Sequence, residues 1–133
     1  MTVSPTIVAN LDLTAQQADV ASTTLLTAPA DTLYRVTAYS VVTQQATTSG
    51  QAPIINMTYT DADSGVAQSV LLAQKIVNTN GKICNVLVNT SNLFPYIFKA
   101  KSGTDVDIFT NAYLSTGATP LHFALHVVLE QMQ

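Results

Sequence analysis

The stretch that decides the fold runs from Thr23 to Thr43 and reads TTLLTAPADTLYRVTAYSVVT. A run rich in β-branched residues ends at Pro29, and a longer alternating run begins at Leu33. Proline fixes φ and lacks the N–H that a ladder needs, and the neighbouring Asp31 is a typical turn residue. The stretch therefore predicts a strand, a short turn and a long strand in an antiparallel arrangement.

The composition favours the same fold class. The chain has 133 residues, the size of one domain with a single core. Its hydrophobic content of 47% argues against disorder. Its 19 threonines suit a pleated, half-buried surface better than a helix. We divide the chain into an N-terminal arm or edge segment over residues 1–19 and a single β-sandwich domain over residues 20–133.

Turn signals rich in Gly, Pro, Asn and Asp recur at short intervals and separate β-rich runs. The runs predict strands near residues 20–27, 33–43, 53–60, 66–73, 82–89, 94–99, 106–113 and 121–131. Eight strands in two sheets predict an all-β, eight-stranded antiparallel β-sandwich that is jelly-roll-like. A sandwich of another topology with fewer strands fits nearly as well.

The N-terminal residues allow more than one interpretation. Leu11–Leu13 could form an added edge strand or part of an arm that reaches a neighbour. Thr14–Asp19 could form one helical turn capped by Thr14. We expect no secretory signal, since the segment lacks a basic region followed by a long apolar one. The apolar runs are shorter than the ~20 residues of a membrane helix.

Charge excludes two classes of partner. Charged residues make up only 10% of the chain, and the net charge is −3. The five cations are scattered: Arg35, Lys75, Lys82, Lys99 and Lys101. A nucleic-acid groove or a basic membrane patch needs cations in a cluster, so we expect neither partner. So low a charge favours a surface that is covered by copies of the chain or by a partner.

Two patterns have the look of metal ligands. His122 and His126 lie on an alternating segment, where four residues span ~13 Å, too far to share one ion. We expect both on an exposed or subunit-facing surface, with a site shared between subunits as the alternative. Asp61-Ala-Asp63-Ser-Gly65 resembles the start of a calcium loop, but no further acidic residue follows before Asp105. A hairpin turn with glycine at positive φ is the expectation, and calcium the alternative.

Asp105 and Asp107 are the strongest candidates for acid–base catalysis, because on a strand they share a face ~7 Å apart. The chain contains no Trp to make a sugar platform, so we expect a solvated edge instead. Cys84 is the single cysteine and is expected to be buried and inert. We find no nucleophile elbow, P-loop or dinucleotide fingerprint. The sequence thus predicts no catalytic residue, no cofactor-binding residue and no metal ligand.

Aromatic residues could mark a docking surface. Phe94, Tyr96 and Phe98 alternate on one strand, where core packing is the expectation and an exposed subunit contact the alternative. A module that recognises a glycan or a receptor would instead expose a set of tyrosines on one face: Tyr39, Tyr59 and Tyr113.

Three segments carry a family resemblance: Thr24 to Thr43, Tyr59–Asp61 and Phe123–Glu130. Together they resemble small β-sandwich virion structural proteins of tailed bacteriophages, either decoration (cement) proteins or tail and fibre components. Lys75 to Lys101 matches no part of that pattern. The resemblance implies homo-oligomers, usually trimers, bound to a major capsid or tail protein. It carries over no catalytic residues.

We therefore expect a non-enzymatic protein that is made in the host cytoplasm and decorates or cements a phage capsid in the virion. An N-terminal arm, Thr2 to Leu13, would contact the lattice, and the fold would survive its removal. The alternatives are a tail or fibre component and a glycan- or receptor-binding module. A hydrolase that uses Asp105 and Asp107 is the least favoured reading.

Overall fold

The computed structural model describes residues 5–73, 91–93 and 95–133. These ranges contain eleven β-strands and no helix. The strands are β1 (Thr6–Gln16), β2 (Thr23–Thr27), β3 (Thr32–Gln44), β4 (Ser49–Gln51), β5 (Ile54–Thr60), β6 (Ala67–Ala73), β7 (Ser91–Leu93), β8 (Tyr96–Ala100), β9 (Asp105–Asn111), β10 (Leu114–Thr116) and β11 (His122–Gln131). No helix in these ranges is long and apolar enough to cross a membrane.

Two sheets form the sandwich, and every strand pair is antiparallel. Sheet A has the order β1–β11–β3, followed by β7 and β8, which both pair with β3. Leu93 pairs with Tyr39 and Tyr96 with Val36, so β7 and β8 follow β3 in one continuous register and act as one interrupted strand. Sheet B has the order β2–β9–β5–β6.

Apart from the β5–β6 hairpin within sheet B, successive main strands lie in alternate four-stranded layers, which is the pattern of a jelly roll. β4 and β10 pair with each other as a small accessory ribbon outside both layers. The predicted all-β jelly-roll-like sandwich is therefore confirmed. Its eight main positions are filled by β1, β2, β3, β5, β6, the β7/β8 pair, β9 and β11.

Period-two alternation explains why these residues form these strands. In β3 the side chains from Thr32 to Val42 alternate between buried and half-exposed, and the even-numbered ones face sheet B. β11 buries Phe123, Leu125, Val127 and Leu129 in the same core. Sheet B contributes Ile55, Met57, Leu72, Val106 and Ile108. The space between the sheets is filled by apolar side chains, as close packing requires.

The two strands of the Thr23–Thr43 stretch, β2 and β3, do not pair with each other as a hairpin. β2 lies in sheet B and β3 in sheet A, so the turn between them carries the chain from one layer to the other. The Asp31 carboxylate accepts a hydrogen bond from the Ser102 N–H at 2.8 Å, and the Ala28 N–H donates to the Thr104 carbonyl at 2.9 Å. The proline turn is thus fastened to the β8–β9 connection rather than to a hairpin partner.

The N-terminal segment corrects two expectations. Residues 6–16 form β1, which pairs along its length with β11, and Val8, Leu11 and Leu13 pack against the core. The helical turn proposed from Thr14 is wrong, because the strand continues to Gln16 with Ala15 at φ 52°. Since β1 belongs to sheet A, residues 6–13 are part of the sandwich and not a detachable arm. The division of the chain at residue 19 stays a prediction.

The other predicted strands are found within one to three residues of their expected bounds, except the one over residues 82–89. That strand, with Cys84, Lys75, Lys82 and Phe94, lies outside the described residues. Phe98 is buried, and Tyr96 stacks beside it at 6.1 Å between ring centroids, which confirms core packing for these two aromatics. The short strands β4, β7 and β10 were not predicted.

Candidate functional site

Each sheet has one face in the core and one face outside. We call the side of sheet A away from sheet B the outer face of sheet A. The registers place these residues on it: Ile7, Asn10, Asp12, Arg35, Thr37, Tyr39, Val41, Ile97, Ala124, His126, Val128 and Glu130. Three of the six exposed large hydrophobic side chains of the described residues lie there: Ile7, Tyr39 and Ile97.

One row of this face crosses four strands. Ile7 of β1 pairs with Glu130 of β11, Glu130 with Arg35 of β3, and Arg35 with Ile97 of β8. The Arg35 Nη2 lies 3.0 and 3.1 Å from the two Glu130 carboxylate oxygens. Ile7 is 64% exposed and Ile97 is 56% exposed. The row therefore has an exposed apolar side chain at each end and an acidic and a basic side chain at its centre, where the two charges pair with each other.

A second row contains an oriented histidine. His126 Nδ1 lies 2.7 Å from the Asp12 carboxylate, and its ring stacks on Tyr39 with 4.9 Å between centroids. Asn10 donates to the other Asp12 oxygen at 3.2 Å. These contacts fix the imidazole across β1, β11 and β3.

His122 lies four residues away on the same strand, and the described residues contain no group of three or more His, Cys, Asp or Glu that could hold a metal.

The Asp61–Gly65 segment is the hairpin turn between β5 and β6, with Gly65 at φ 72°, as predicted. The Asp61 carboxylate accepts hydrogen bonds from the backbone N–H groups of Ser64, at 2.8 Å, and Asp63, at 3.1 Å. The bond from Ser64 is the main reason that the pKa of Asp61 lies below its ordinary value of 3.8. Lys99 pairs with Asp63 at 3.2 Å. The Asp61 carboxylate is thus bonded to backbone N–H groups of its own turn, and the Asp63 carboxylate is paired with Lys99 of β8.

Asp105 and Asp107 both lie on the outer side of sheet B, on β9. Asp105 accepts a hydrogen bond from the Thr27 hydroxyl at 2.6 Å, and Asp107 accepts one from the Thr24 hydroxyl at 2.7 Å. Each bond joins β9 to β2 in register. The two carboxylates therefore act as cross-strand links on an interior strand of sheet B, since β9 lies between β2 and β5, and not at the sheet edge expected for them.

A shallow groove of about 440 Å³ lies beside these strands. It is lined by Asp19, Val20, Ala21, Ser22, Thr58, Phe109 and Thr110. The Asp19 carboxylate and the Thr110 hydroxyl already bond to each other at 3.2 Å, and Thr110 also accepts from the Val20 N–H at 2.8 Å. The polar groups along the groove thus hold Asp19 and Val20 against Thr110 of β9.

The three tyrosines that would mark a glycan-binding face do not share one. Tyr39 lies on the outer face of sheet A. Tyr59 is buried between the sheets and lies 3.2 Å from the Tyr96 hydroxyl. Burial, followed by that hydrogen bond, raises the pKa of Tyr59 well above its ordinary value of 10.0. Tyr113 packs on Phe123 and donates to the Leu121 carbonyl at 2.6 Å.

Sequence reasoning missed Ile7 and Ile97 as surface residues. The available signal for Ile97 was its position opposite the Tyr96 and Phe98 side of an alternating strand. For Ile7 the signal was weaker, because the β-bulge between Ile7 and Ala9 shifts the alternation within β1. Their common row arises from three separate strand pairings that the sequence does not reveal.

Comparison with known proteins finds no matching family model and no matching curated protein. Among solved structures, the chain is similar to a structure of infectious bursal disease virus, Gx strain, at 15% identity and a TM-score of 0.42. That match covers 98% of this chain and 34% of the other. A VP2 subviral particle of the same virus matches at 12% identity and a TM-score of 0.29, covering 98% of this chain and 41% of the other.

A Clostridium thermocellum xylanase 10B, whose CBM22-1 and GH10 modules were crystallised with xylohexaose, matches at 11% identity and a TM-score of 0.41. That match covers 98% of this chain and 25% of the xylanase chain. The chain thus spans less than half the length of each of these structures. Two are viral proteins and one is a carbohydrate-active enzyme; none of the three is described as a tailed-phage protein.

Proposed function

We propose that this protein is a non-enzymatic structural protein of a virion. It binds the major capsid protein of a tailed bacteriophage and decorates or cements the capsid as a homo-oligomer, with the trimer as the state that the family resemblance implies. It reaches the virion from the host cytoplasm during assembly. Its partners are copies of itself and the capsid lattice.

The observation that carries the proposal is the concentration of exposed apolar side chains on the outer face of sheet A. Ile7, Tyr39 and Ile97 lie around the Arg35–Glu130 ion pair and the hydrogen-bonded His126–Asp12 pair, both of which are formed within the chain. A face that combines exposed apolar side chains with compensated charges is suited to burial against another protein surface. A site that binds a small substrate would instead converge on a concave pocket.

The carboxylate and histidine pairs support the same proposal. The Asp105 and Asp107 carboxylates bond to threonines, the Asp61 carboxylate bonds to its own turn, and His126 bonds to Asp12. All of them act as links between strands or within a turn. A small domain with many modest contacts suits attachment to a repeating lattice, because simultaneous contacts raise the overall affinity without a deep pocket.

Co-sedimentation tests the proposal. Purified protein is mixed with phage particles that lack it and is centrifuged through a density gradient, while native mass spectrometry gives the number of chains in the free protein. We expect an oligomer that migrates with the particles and saturates them at a fixed ratio. A protein that stays at the top of the gradient at every particle concentration would contradict the proposal.

A further inference from the structure

We infer that two copies of this chain pack face to face through the outer face of sheet A, about a two-fold axis parallel to the strands. This inference rests on the proposed homo-oligomer and names the face that two of its copies share; it places a two-fold pair in that oligomer, where the family resemblance alone implies a trimer. It rests on the order of residues across the row from Ile7 to Ile97 and on the distribution of charge between the two sheets.

The row is self-complementary under that rotation. Its four members occupy neighbouring strands in the order Ile7, Glu130, Arg35, Ile97. A two-fold axis parallel to the strands and midway between β11 and β3 reverses this order in the second copy. Ile7 then faces Ile97 of the second copy, and Glu130 faces its Arg35. Apolar groups meet apolar groups, and each charge meets its opposite, which is what an isologous interface requires.

The His126–Tyr39 row, separated from the first row by the pair Val128–Thr37, fits the same operation. β11 and β3 carry His126 and Tyr39 in register, and the two rings already stack within one chain. The rotation places His126 of one copy over Tyr39 of the other. The aromatic stack of each copy thereby meets that of its partner, and aromatic groups are enriched at the centres of interfaces.

The distribution of charge favours sheet A over sheet B as the surface through which two copies meet. On and beside the outer face of sheet A, Arg35 forms an ion pair with Glu130 and Lys99 one with Asp63, while Asp12 is hydrogen-bonded to His126. The strands of sheet B carry Asp105 and Asp107, and their described residues include no Lys or Arg. Two copies of an acidic chain would place like charges together if they met through sheet B, whereas through sheet A they would not.

The size of the face is also adequate. Four strands at about 4.8 Å spacing give a width of ~19 Å, and the ten residues of β11 give a length of ~33 Å. The plane alone then measures ~600 Å², and side-chain relief adds to the accessible area. A standard stable interface buries about 800 Å² on each partner.

Sedimentation equilibrium on charge variants tests the inference. Ile7→Lys and Ile97→Glu each place one charge against an isoleucine of the second copy, so each should raise the dimer dissociation constant ~10-fold or more. Ile7 and Ile97 lie three strand spacings apart, ~14 Å, so the new charges of the Ile7→Lys/Ile97→Glu double variant do not pair within one chain. In the dimer they face each other, so the double variant should return to near wild-type association. Leu71→Lys on β6, another exposed hydrophobic position, is the matched control and should leave association unchanged.

The outcomes separate this inference from the proposed function. An even number of chains in the wild type, loss of pairing in both single variants and recovery in the double variant support the inference. A monomer, a trimer alone, or no recovery in the double variant would overturn it. The same variants are scored for co-sedimentation with phage particles. Particle binding that persists without two-fold pairing leaves the proposed function standing, whereas two-fold pairing without particle binding removes the proposed function only.

Discussion

Arg35 and Glu130 face each other on β3 and β11, and the guanidinium contacts both carboxylate oxygens. The pair is about one third exposed on the arginine side and one fifth on the glutamate side, which limits its contribution to stability. We expect Glu130→Gln to lower the free energy of unfolding by about 0.5–1 kcal/mol, measured by urea denaturation at one fixed protein concentration.

The reversed pair, Arg35→Glu/Glu130→Arg, keeps one charge of each sign at the same register and is the matched control. It should recover most of the loss. Equal stability of Glu130→Gln and the wild type would show that the pair contributes nothing to folding.

β1 is predicted to be essential to the fold. Its side chains Val8, Leu11 and Leu13 pack on the core, and its removal would uncover the edge of β11. Deletion of residues 1–13 should abolish the cooperative unfolding transition. Leu11→Ala, which removes a half-buried side chain, should cost about 1–2 kcal/mol, below the range for fully buried leucines. Ile7→Ala, at an exposed position on the same strand, should cost much less; equal losses would contradict the assignment of faces in β1.

Tyr59 is predicted to make the protein sensitive to alkali. Burial raises its pKa in the folded state above the ordinary value of 10.0, so the unfolded chain loses the proton first. The stability contributed by the neutral phenol is complete below pH 10 and is lost as the pH rises above it. Tyr59→Phe should therefore flatten the fall in the denaturation midpoint above pH 10.

Tyr96→Phe separates the two main causes. It removes the hydrogen-bond partner of Tyr59 and leaves its ring buried. Because burial is the larger cause of the pKa shift, this variant should keep most of the alkaline sensitivity. An unchanged alkaline profile in Tyr59→Phe would contradict the account.

Gly117 is predicted to be the least replaceable glycine of the described turns. It lies at φ 106°, and an added Cβ would lie 2.8 Å from the backbone nitrogen of Thr48. Gly103, at φ 79°, has nothing within 4 Å of an added Cβ. Gly103→Ala should cost about 1–2 kcal/mol from backbone strain alone, and Gly117→Ala clearly more. Thermal denaturation of both variants checks the order, and a reversed order would contradict it.

The alternation of apolar and polar residues made the positions of the strands predictable from the sequence. Which strands pair with each other could not be predicted in this way. In β3 and β11 the buried side chains follow period two closely enough to be identified from the sequence. Partners in the β1–β11 pair lie about 115 residues apart in the sequence and those in the β2–β9 pair about 80 residues apart, and no local pattern specifies such partners. Pro29 marked a turn correctly, but the change of sheet after it depends on contacts with Ser102 and Thr104.

The outer face of sheet A was likewise predictable only in part. Tyr39 could be identified as a surface candidate because it lies on the outward side of an alternating strand. Ile7 and Ile97 are ninety residues apart in the sequence and reach one row only through β11 and β3. The oriented pair of His126 and Asp12 likewise depends on the register between β1 and β11. Such a face becomes visible only when the registers of three strand pairs are known.

The most direct measurement of the central claim is the number of copies of this chain in each purified virion, determined by quantitative peptide mass spectrometry against the major capsid protein. A decoration protein is predicted to be present in the same order of abundance as the major capsid protein and at a constant ratio between preparations. A few copies per particle would instead indicate a tail or fibre component. Absence from purified virions would contradict the account.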